Sequence, residues 1–282
     1  MAGTRLFLVS GKGGTGKSAI AAAIALRAQR QGDRVLAMEI GDDGSLAGHL
    51  ATTELEFDPR EVRPGLHAMR ISRPDALLEY LSLQLRLPGV SRFGGRIARA
   101  FDALATAAPA VREIITIGKV YWEVRSGGWD TVVVDAPPTG QIGSYLRAPR
   151  SIMELVPTGR IRAQAESMSK VLADPETTRL VLVTLPEEVP TAETLETLDW
   201  LDAERVAPPP FVVVNRVLPV LQVATKPSGI AGEIVDLHLT LVEEQQEWLD
   251  RLPGDLQLPY LFGVRTPAEV AASLSDVLEG LL

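Results

Sequence analysis

A nine-residue run, Ser10-Gly11-Lys12-Gly13-Gly14-Thr15-Gly16-Lys17-Ser18, stands directly behind the apolar stretch Leu6-Phe7-Leu8-Val9 and ahead of an alanine-rich segment. From Gly11 to Ser18 it fits G-x-x-x-x-G-K-[ST], and a strand before with a helix after is the setting a phosphate-binding loop requires. Gly11, Gly13, Gly14 and Gly16 lack a Cβ, so they can take left-handed conformations and, with Thr15 between them, aim successive N–H groups at one anion. The spacing assigns Lys17 to the β- and γ-phosphates of ATP and Ser18 to Mg2+, with the dipole of the following helix adding its pull. A run of glycines that is only a turn has no need of the lysine, the serine and both flanking elements together.

Lys12 adds a second clue. The chain has five lysines against 23 arginines, and two of the five sit in this loop. A lysine at the second position of G-K-G-G-T-G-K-S resembles the deviant Walker A group, which holds the Min and Par ATPases, nitrogenase iron protein and the arsenite-pump type. The resemblance implies that Lys12 crosses a dimer interface to touch the partner's nucleotide. The plainer alternative is a surface lysine beside a phosphate site.

Composition sets the outer limits. At 282 residues, 46% hydrophobic and 23% charged, the chain is expected to form one large α/β domain over 1–282. Its net charge of −8 provides no basic field, so no nucleic acid is expected as the main partner. There is no cysteine, which excludes disulfides, thiolate metal sites and cysteine nucleophiles together. No apolar run approaches the ~18 to 20 residues that span a bilayer, and the N-terminus runs at once into a strand, so the expected location is cytoplasmic.

Along the chain, Ser18 to Gln29 predicts a helix closed by Gln31-Gly32-Asp33, and Arg34 to Glu39 a strand that delivers Gly41-Asp42-Asp43-Gly44-Ser45 to the sheet's carboxyl edge. Leu66 to Ile71 alternates as a short edge strand. Pro74 to about Val124 is helical in pattern, broken at Pro88-Gly89, Gly94-Gly95 and Pro109. Within it, Arg86, Arg92, Arg96 and Arg99 among apolar residues make a basic amphipathic stretch. Such a stretch is read as a core-facing helix with a solvated arginine face, ahead of a membrane or client surface.

Trp129-Asp130-Thr131-Val132-Val133-Val134-Asp135 reads as an apolar strand ending in an acid, followed by Ala136-Pro137-Pro138-Thr139-Gly140. A carboxylate at that end of a buried strand can orient a water on Mg2+ without crowding the phosphates, as a Walker B site does. Two more apolar strands, Leu180 to Thr184 and Phe211 to Asn215, bracket a helix from Ala192 to Asp202. Asn215 suits either the hydrogen-bonding edge of adenine or a turn. Ile234 to Leu252 reads as another helix, Leu258 to Phe262 as an apolar segment, and Thr266-Pro267-Ala268-Glu269 as the cap of a terminal helix. The alternation predicts an α/β fold, a P-loop NTPase with a mostly parallel sheet covered by helices on both faces and a helical subregion near 74–128 and 145–175.

With these residues in hand, the chain resembles the arsenite-pump (ArsA-like) ATPase family, which includes the guided-entry ATPase that delivers tail-anchored membrane proteins. Asp135-Ala136-Pro137-Pro138-Thr139-Gly140 is similar to the family's D-T-A-P-T-G switch II, and Leu146-Arg147-Ala148-Pro149 to its L-R followed by proline. Leu66 to Ile71 resembles its strand ending in M-x-I, and Val183-Thr184-Leu185-Pro186-Glu187 with Glu193-Thr194 its V-T-x-P-E…E-T segment. The resemblance places Asn215 as the adenine-reading residue and Pro259 in the adenine-side loop. It also implies catalysis by Lys12, Lys17 and Asp135, with Mg2+ held by Ser18 and Asp135.

The departures carry their own expectations. In the family's switch I, S-T-D-P-A-H-S, the aspartate positions the attacking water. Gly41 is its ungapped counterpart here, and a one-residue shift gives the role to Asp42. Gln141 stands in place of the family's histidine and Arg112 in place of an aspartate. Arsenite is a soft thiophile, and a chain without thiolates offers it no such site. A zinc-bridged dimer is likewise excluded. One P-loop where the pump type fuses two halves implies a homodimer, or a heterodimer with a paralogue.

The expected function is therefore an ATP-driven dimer switch acting on an unidentified protein client, with a peripheral membrane partner as an option. The client surface is expected around Ser82 to Ala107 and Ser151 to Val171. Two rivals stand beside it: a catalytically weak nucleotide-binding subunit paired with an active paralogue, and a Min/Par-type positioning ATPase. The last would need a membrane-targeting terminal helix, and Ala268 to Leu282 carries no lysine or arginine.

Overall fold

A computed structural model describes residues 3–41, 44–85, 110–126, 128–222, 227–263, 265–278 and 281. Within them one sheet runs in the order β3-β4-β2-β5-β1-β6-β7-β8. Its strands are β1 Arg5–Gly11, β2 Val35–Ile40, β3 Arg60–Arg63, β4 Leu66–Ile71, β5 Thr131–Asp135, β6 Thr178–Thr184, β7 Phe211–Val217 and β8 Leu256–Pro259. All pairings are parallel except β3 with β4, so the carboxyl ends of the other strands share one edge. The connecting helices are α1 Lys17–Arg30, α2 Ser45–His49, α3 Arg73–Leu85, α4 Ala110–Ser126, α5 Thr139–Leu155, α6 Arg160–Ala173, α7 Glu188–Glu204, α8 Ile230–Leu249 and α9 Pro267–Val277. None of the helices among the described residues is long and apolar enough to cross a membrane.

Central strands need apolar residues on both faces, because helices cover both. In β1, Leu6 and Leu8 enter one core while Phe7 and Val9 enter the other. The Val9 side is roofed by α1, whose Ala19, Ala21, Ala22, Ala23, Ala25 and Ala28 are all buried. Alanine favours the helix and, being small, lets it lie close on Val9, Val133 and Val183. Gly32, at φ +96°, ends the helix. Alongside it, α9 contributes Ala271 and Leu274 to the same core. Its start is the expected threonine cap, which Glu269 completes as a capping box: Thr266 N donates to Glu269 Oε2 (2.7 Å) and Glu269 N to Thr266 Oγ1 (3.3 Å).

The structure corrects the sequence reading in places. Leu66 to Ile71, expected at the sheet's edge, lies inside it, between β2 and β3. The edge is Arg60–Arg63, a four-residue polar strand with Arg60 and Glu61 exposed, which suits an edge and leaves no apolar alternation to read. Helix α7 starts at Glu188 rather than Ala192, since Pro190 is tolerated in a first turn. Helix α8 begins at Ile230, ahead of the expected Ile234, and ends at Leu249. The expected breaks at 88–89, 94–95 and 109, the arginines at 86–99 and the client surface beyond residue 85 lie outside the described residues, as does Asp42. The other half of that surface, 151–171, covers the end of α5 and most of α6.

Candidate nucleotide site

The carboxyl ends of β2, β5 and β1 meet the start of α1 on one edge of the sheet. Two glycines there are demanded by close approach. A Cβ on Gly11 would stand 2.1 Å from the Val183 carbonyl oxygen, and one on Gly16, where φ is +99°, would stand 2.5 Å from Asn215 Nδ2. Gly13 has nothing within 4 Å of its Cβ position, and Gly13 and Gly14 are both exposed. The crest of the loop therefore faces open space, where an anion can come up against backbone N–H groups.

Beneath the crest, the loop is tied down before any ligand arrives. The fully buried Thr15 donates its hydroxyl to the Lys12 carbonyl (2.8 Å), and its own carbonyl accepts from Asn215 Nδ2 (2.8 Å). Ser10 Oγ donates to the Pro137 carbonyl (2.6 Å), joining the loop's strand to the segment after β5. No side chain caps α1, so its first N–H groups are left for a ligand. Lys17 and Ser18, the first two residues of α1, are half-buried and make no side-chain hydrogen bond or ion pair among the described residues.

Asp135 closes β5, in register with Val9 of β1 and Glu39 of β2. Strand alternation puts it on the face of Val9 and Val133, which is the face α1 covers. Ser18 and Asp135 thus lie toward one another's side of the sheet. One hydroxyl and one carboxylate beside an open phosphate loop fit Mg2+, which takes one or two protein ligands and keeps the rest as phosphate oxygens and waters. Among the described residues no three of His, Cys, Asp and Glu gather to hold a metal ion.

Asn215 and Pro259 lie at the same edge, two and three strands from β1 on the side away from β5. The Asn215 amide is buried, with Nδ2 on Thr15 and Oδ1 accepting from Arg216 N (2.9 Å). This geometry makes it a clasp between β7 and the loop, a role that neither sequence reading names. Pro259, exposed, closes β8 beside Val217.

Two residues had no role in the sequence reading. Glu193 on α7 forms an ion pair with Lys12 and accepts from Thr139 Oγ1 (3.1 Å), so one carboxylate joins the loop, the first residue of α5 and α7. A cavity of about 450 Å3 between α5 and α7, lined by Thr139, Gly140, Arg147, Glu193 and Trp200, opens beside this junction. Glu39 is buried at the end of β2. Its Oε1 accepts from Leu46 N (3.1 Å) at the start of α2, and its Oε2 from Arg70 Nε (2.9 Å). The E-T pairing that marks Glu193 in the sequence shows its place in a segment, while nothing local indicates that Lys12, 181 residues away, is its partner.

The family described as anion-transporting ATPase matches residues 4–162, a stretch that begins ahead of β1 and ends in α6. The ATPase BagA of Mycobacterium tuberculosis is 36% identical over 230 residues, covering 78% of this chain and 67% of its own. Arsenical pump-driving ATPases of Acidiphilium multivorum and Escherichia coli are 26% and 27% identical, over 95% and 88% of this chain. The chain spans 49% and 44% of those two pump proteins, less than half of either. A mostly parallel α/β sheet with the loop on a central strand, a family match over more than half the length and a relative 36% identical over 78% of the chain all agree: the chain belongs to the anion-transporting ATPase family and is a P-loop ATPase.

Proposed function

We propose that residues 1–282 act as one ATPase unit, a nucleotide-dependent switch between separate and paired chains. The observation that carries this reading is Glu193, which holds Lys12 and Thr139 at once. Lys17 and the backbone N–H groups of the loop crest and the first turn of α1 grip the β- and γ-phosphates of ATP, while Thr15 N is kept by the Lys12 carbonyl (3.3 Å). Ser18 and Asp135 would hold Mg2+, which when bound neutralises phosphate charge. Asn215 keeps the loop's floor in place, with Pro259 at the adenine side.

Lys12 in the single chain is parked on Glu193. A γ-phosphate from a facing second copy, or from a paralogue, offers it a stronger anion, and its departure leaves Glu193 with Thr139 alone. Thr139 begins α5, so the change reaches that helix and the α5–α6 surface, where a protein client or peripheral membrane partner would sense it. Phosphoryl transfer depends on such positioning and charge rather than on covalent help from the protein.

Soft oxyanion cargo is not part of this reading, because there is no thiolate to bind it. Nor is Min/Par-type membrane targeting, since α9 is spent on packing against α1. The subunit with weak hydrolysis is favoured by one observation. Gly41 supplies no carboxylate, and the nearby Glu39 is already engaged by Leu46 and Arg70, which leaves Asp42 to position water.

The deciding experiment is phosphate release from ATP·Mg2+ across a range of protein concentrations, with Lys12→Ala alongside. A rate per chain that rises with concentration and collapses in the variant supports the self-paired switch. Tight nucleotide binding without release would sink it and favour the weak subunit.

A further inference from the structure

Helix α8 is twenty residues long, yet only Gly232 and Gln245 on it are buried. Its inward side, Val235, Leu239, Val242 and Leu249, is half-covered. A second apolar row points to solvent: Ile230, Ile234, Leu237 and Leu241 are 77%, 61%, 60% and 42% exposed. Their spacing of four, three and four residues is that of a coiled-coil seam. Val220 (72% exposed) and Leu221 (40%) extend the patch. The connector that carries them is laid along α8 by His238 on the Pro219 carbonyl (2.8 Å) and by Gln245 on Leu218.

We infer that this row is a self-complementary surface on which α8 of a second copy of this chain docks antiparallel. The spacing is symmetric about the point between Val235 and Asp236. A two-fold axis there sets Ile230 against Leu241 of the other copy and Ile234 against Leu237, each contact made twice, as a closed dimer requires. Charge selects the same arrangement. Helix α8 and Asp250 behind it carry Glu233, Asp236, Glu243, Glu244, Glu247 and Asp250 and no lysine or arginine. In the antiparallel pairing the flanking Glu233 faces Thr240, and Ala231 faces His238, so no two acids meet across the seam. An anionic lipid surface would meet the acidic flank with like charge.

The topology also sets where this surface stands. Helix α8 leaves the carboxyl end of β7 and returns to the amino end of β8, so its first turns, with Ile230 and Ile234, lie toward the edge that bears Lys12. Antiparallel pairing through these turns points the two nucleotide edges in opposite directions, each toward the axis between Val235 and Asp236. It goes beyond the switch proposed above, because it needs no nucleotide.

The test is sedimentation equilibrium of the full chain without nucleotide, for wild type, Lys12→Ala and the double variant Ile234→Asp/Leu237→Asp. The expected result is a dimer in the first two, weakened on the order of a hundredfold or more in the third. Circular dichroism and retained nucleotide binding check that the third still folds. Since the chain has no cysteine, Ile234→Cys and Leu237→Cys can be mixed and oxidised. Antiparallel pairing gives disulfides between the two variants in preference to either with itself. A monomer at every concentration, a dimer indifferent to the aspartates, or like-with-like disulfides would overturn the proposal. So would a monomer that instead binds phosphatidylcholine vesicles through these residues. A dimer that needs ATP and fails in Lys12→Ala would uphold the switch while overturning the α8 surface.

Discussion

Lys12 and Thr139 meet on the two oxygens of one carboxylate, that of Glu193, although the three residues come from the loop after β1, the start of α5 and the first half of α7. In the proposed switch Lys12 would have to leave this partner to reach a nucleotide on another chain, so the ion pair would oppose association. Both its side chains are 34% exposed, so it is worth about 1 kcal/mol or less. Glu193→Gln should tighten ATP-dependent association by no more than about fivefold, measured as the protein concentration giving half-maximal turnover. Weaker association in the variant would show that Glu193 serves the paired state instead.

The glycines of the loop divide into two kinds, and alanine separates them. Gly11→Ala drives a methyl into the Val183 carbonyl and should cost about 1–3 kcal/mol or more in urea unfolding. Gly13→Ala meets nothing within 4 Å and should leave stability within about 0.5 kcal/mol of wild type. The same methyl at residue 13 stands where an anion must approach, so nucleotide affinity should fall at least about tenfold, or ~1.4 kcal/mol. Equal losses of stability at both positions would contradict the open crest.

Much of this site was legible because its residues are contiguous. Gly11 to Ser18 carry their spacing with them, and the apolar strand ending in Asp135 announces itself. The cap at Thr266 is legible for the same reason, since Thr266 and Glu269 stand only three positions apart. The link from Lys12 to Glu193 was not legible, because it exists only once α5 and α7 pack side by side. Nor was Arg60–Arg63, whose backbone pairs with β4 while its side chains look like those of a loop. The bond from Asn215 to Thr15 was not legible either, because the two residues stand 200 positions apart and meet only in the folded chain.

Lys119 provides a test of the fold away from the nucleotide. It is almost fully buried on α4, bonded to Glu79 of α3 (2.9 Å) and Glu123 (2.9 Å), with the Phe57 ring 4.8 Å away. Burial works against its charge, but the hydrogen bonds and charges of Glu79 and Glu123 prevail and hold its pKa above the usual lysine value. A raised pKa means that this stabilisation is complete below the ordinary lysine range, near ~10.4, and is lost only as pH climbs through the folded value. Lys119→Met takes the cation from between Glu79 and the buried Glu123, leaving Glu123 the neutral donor Trp129 Nε1 (3.0 Å), and should cost about 3 kcal/mol at neutral pH, read from chemical unfolding.

Glu269 should give stability its acid limb. Backbone and side-chain hydrogen bonds from Thr266 hold its carboxyl below the ordinary glutamate value. The cap is then intact above about pH 4.3 and is lost as pH falls through the depressed folded value. Amide exchange in the first turn of α9 should accelerate across that window, and Glu269→Gln should remove the pH dependence there. Exchange that stays pH-dependent in the variant, after correction for intrinsic rates, would assign the effect elsewhere.

The strand that bears the loop has β5 on one side and β6 on the other, in continuous parallel register. Its amides should therefore be among the last in the molecule to trade protons with deuterated water, opening only with the whole sheet. A floor this stiff transmits nothing by bending. Any message from the nucleotide has to leave sideways, through the few side chains that touch the loop from other elements, and so in this protein the hinge and the sensor are the same handful of atoms.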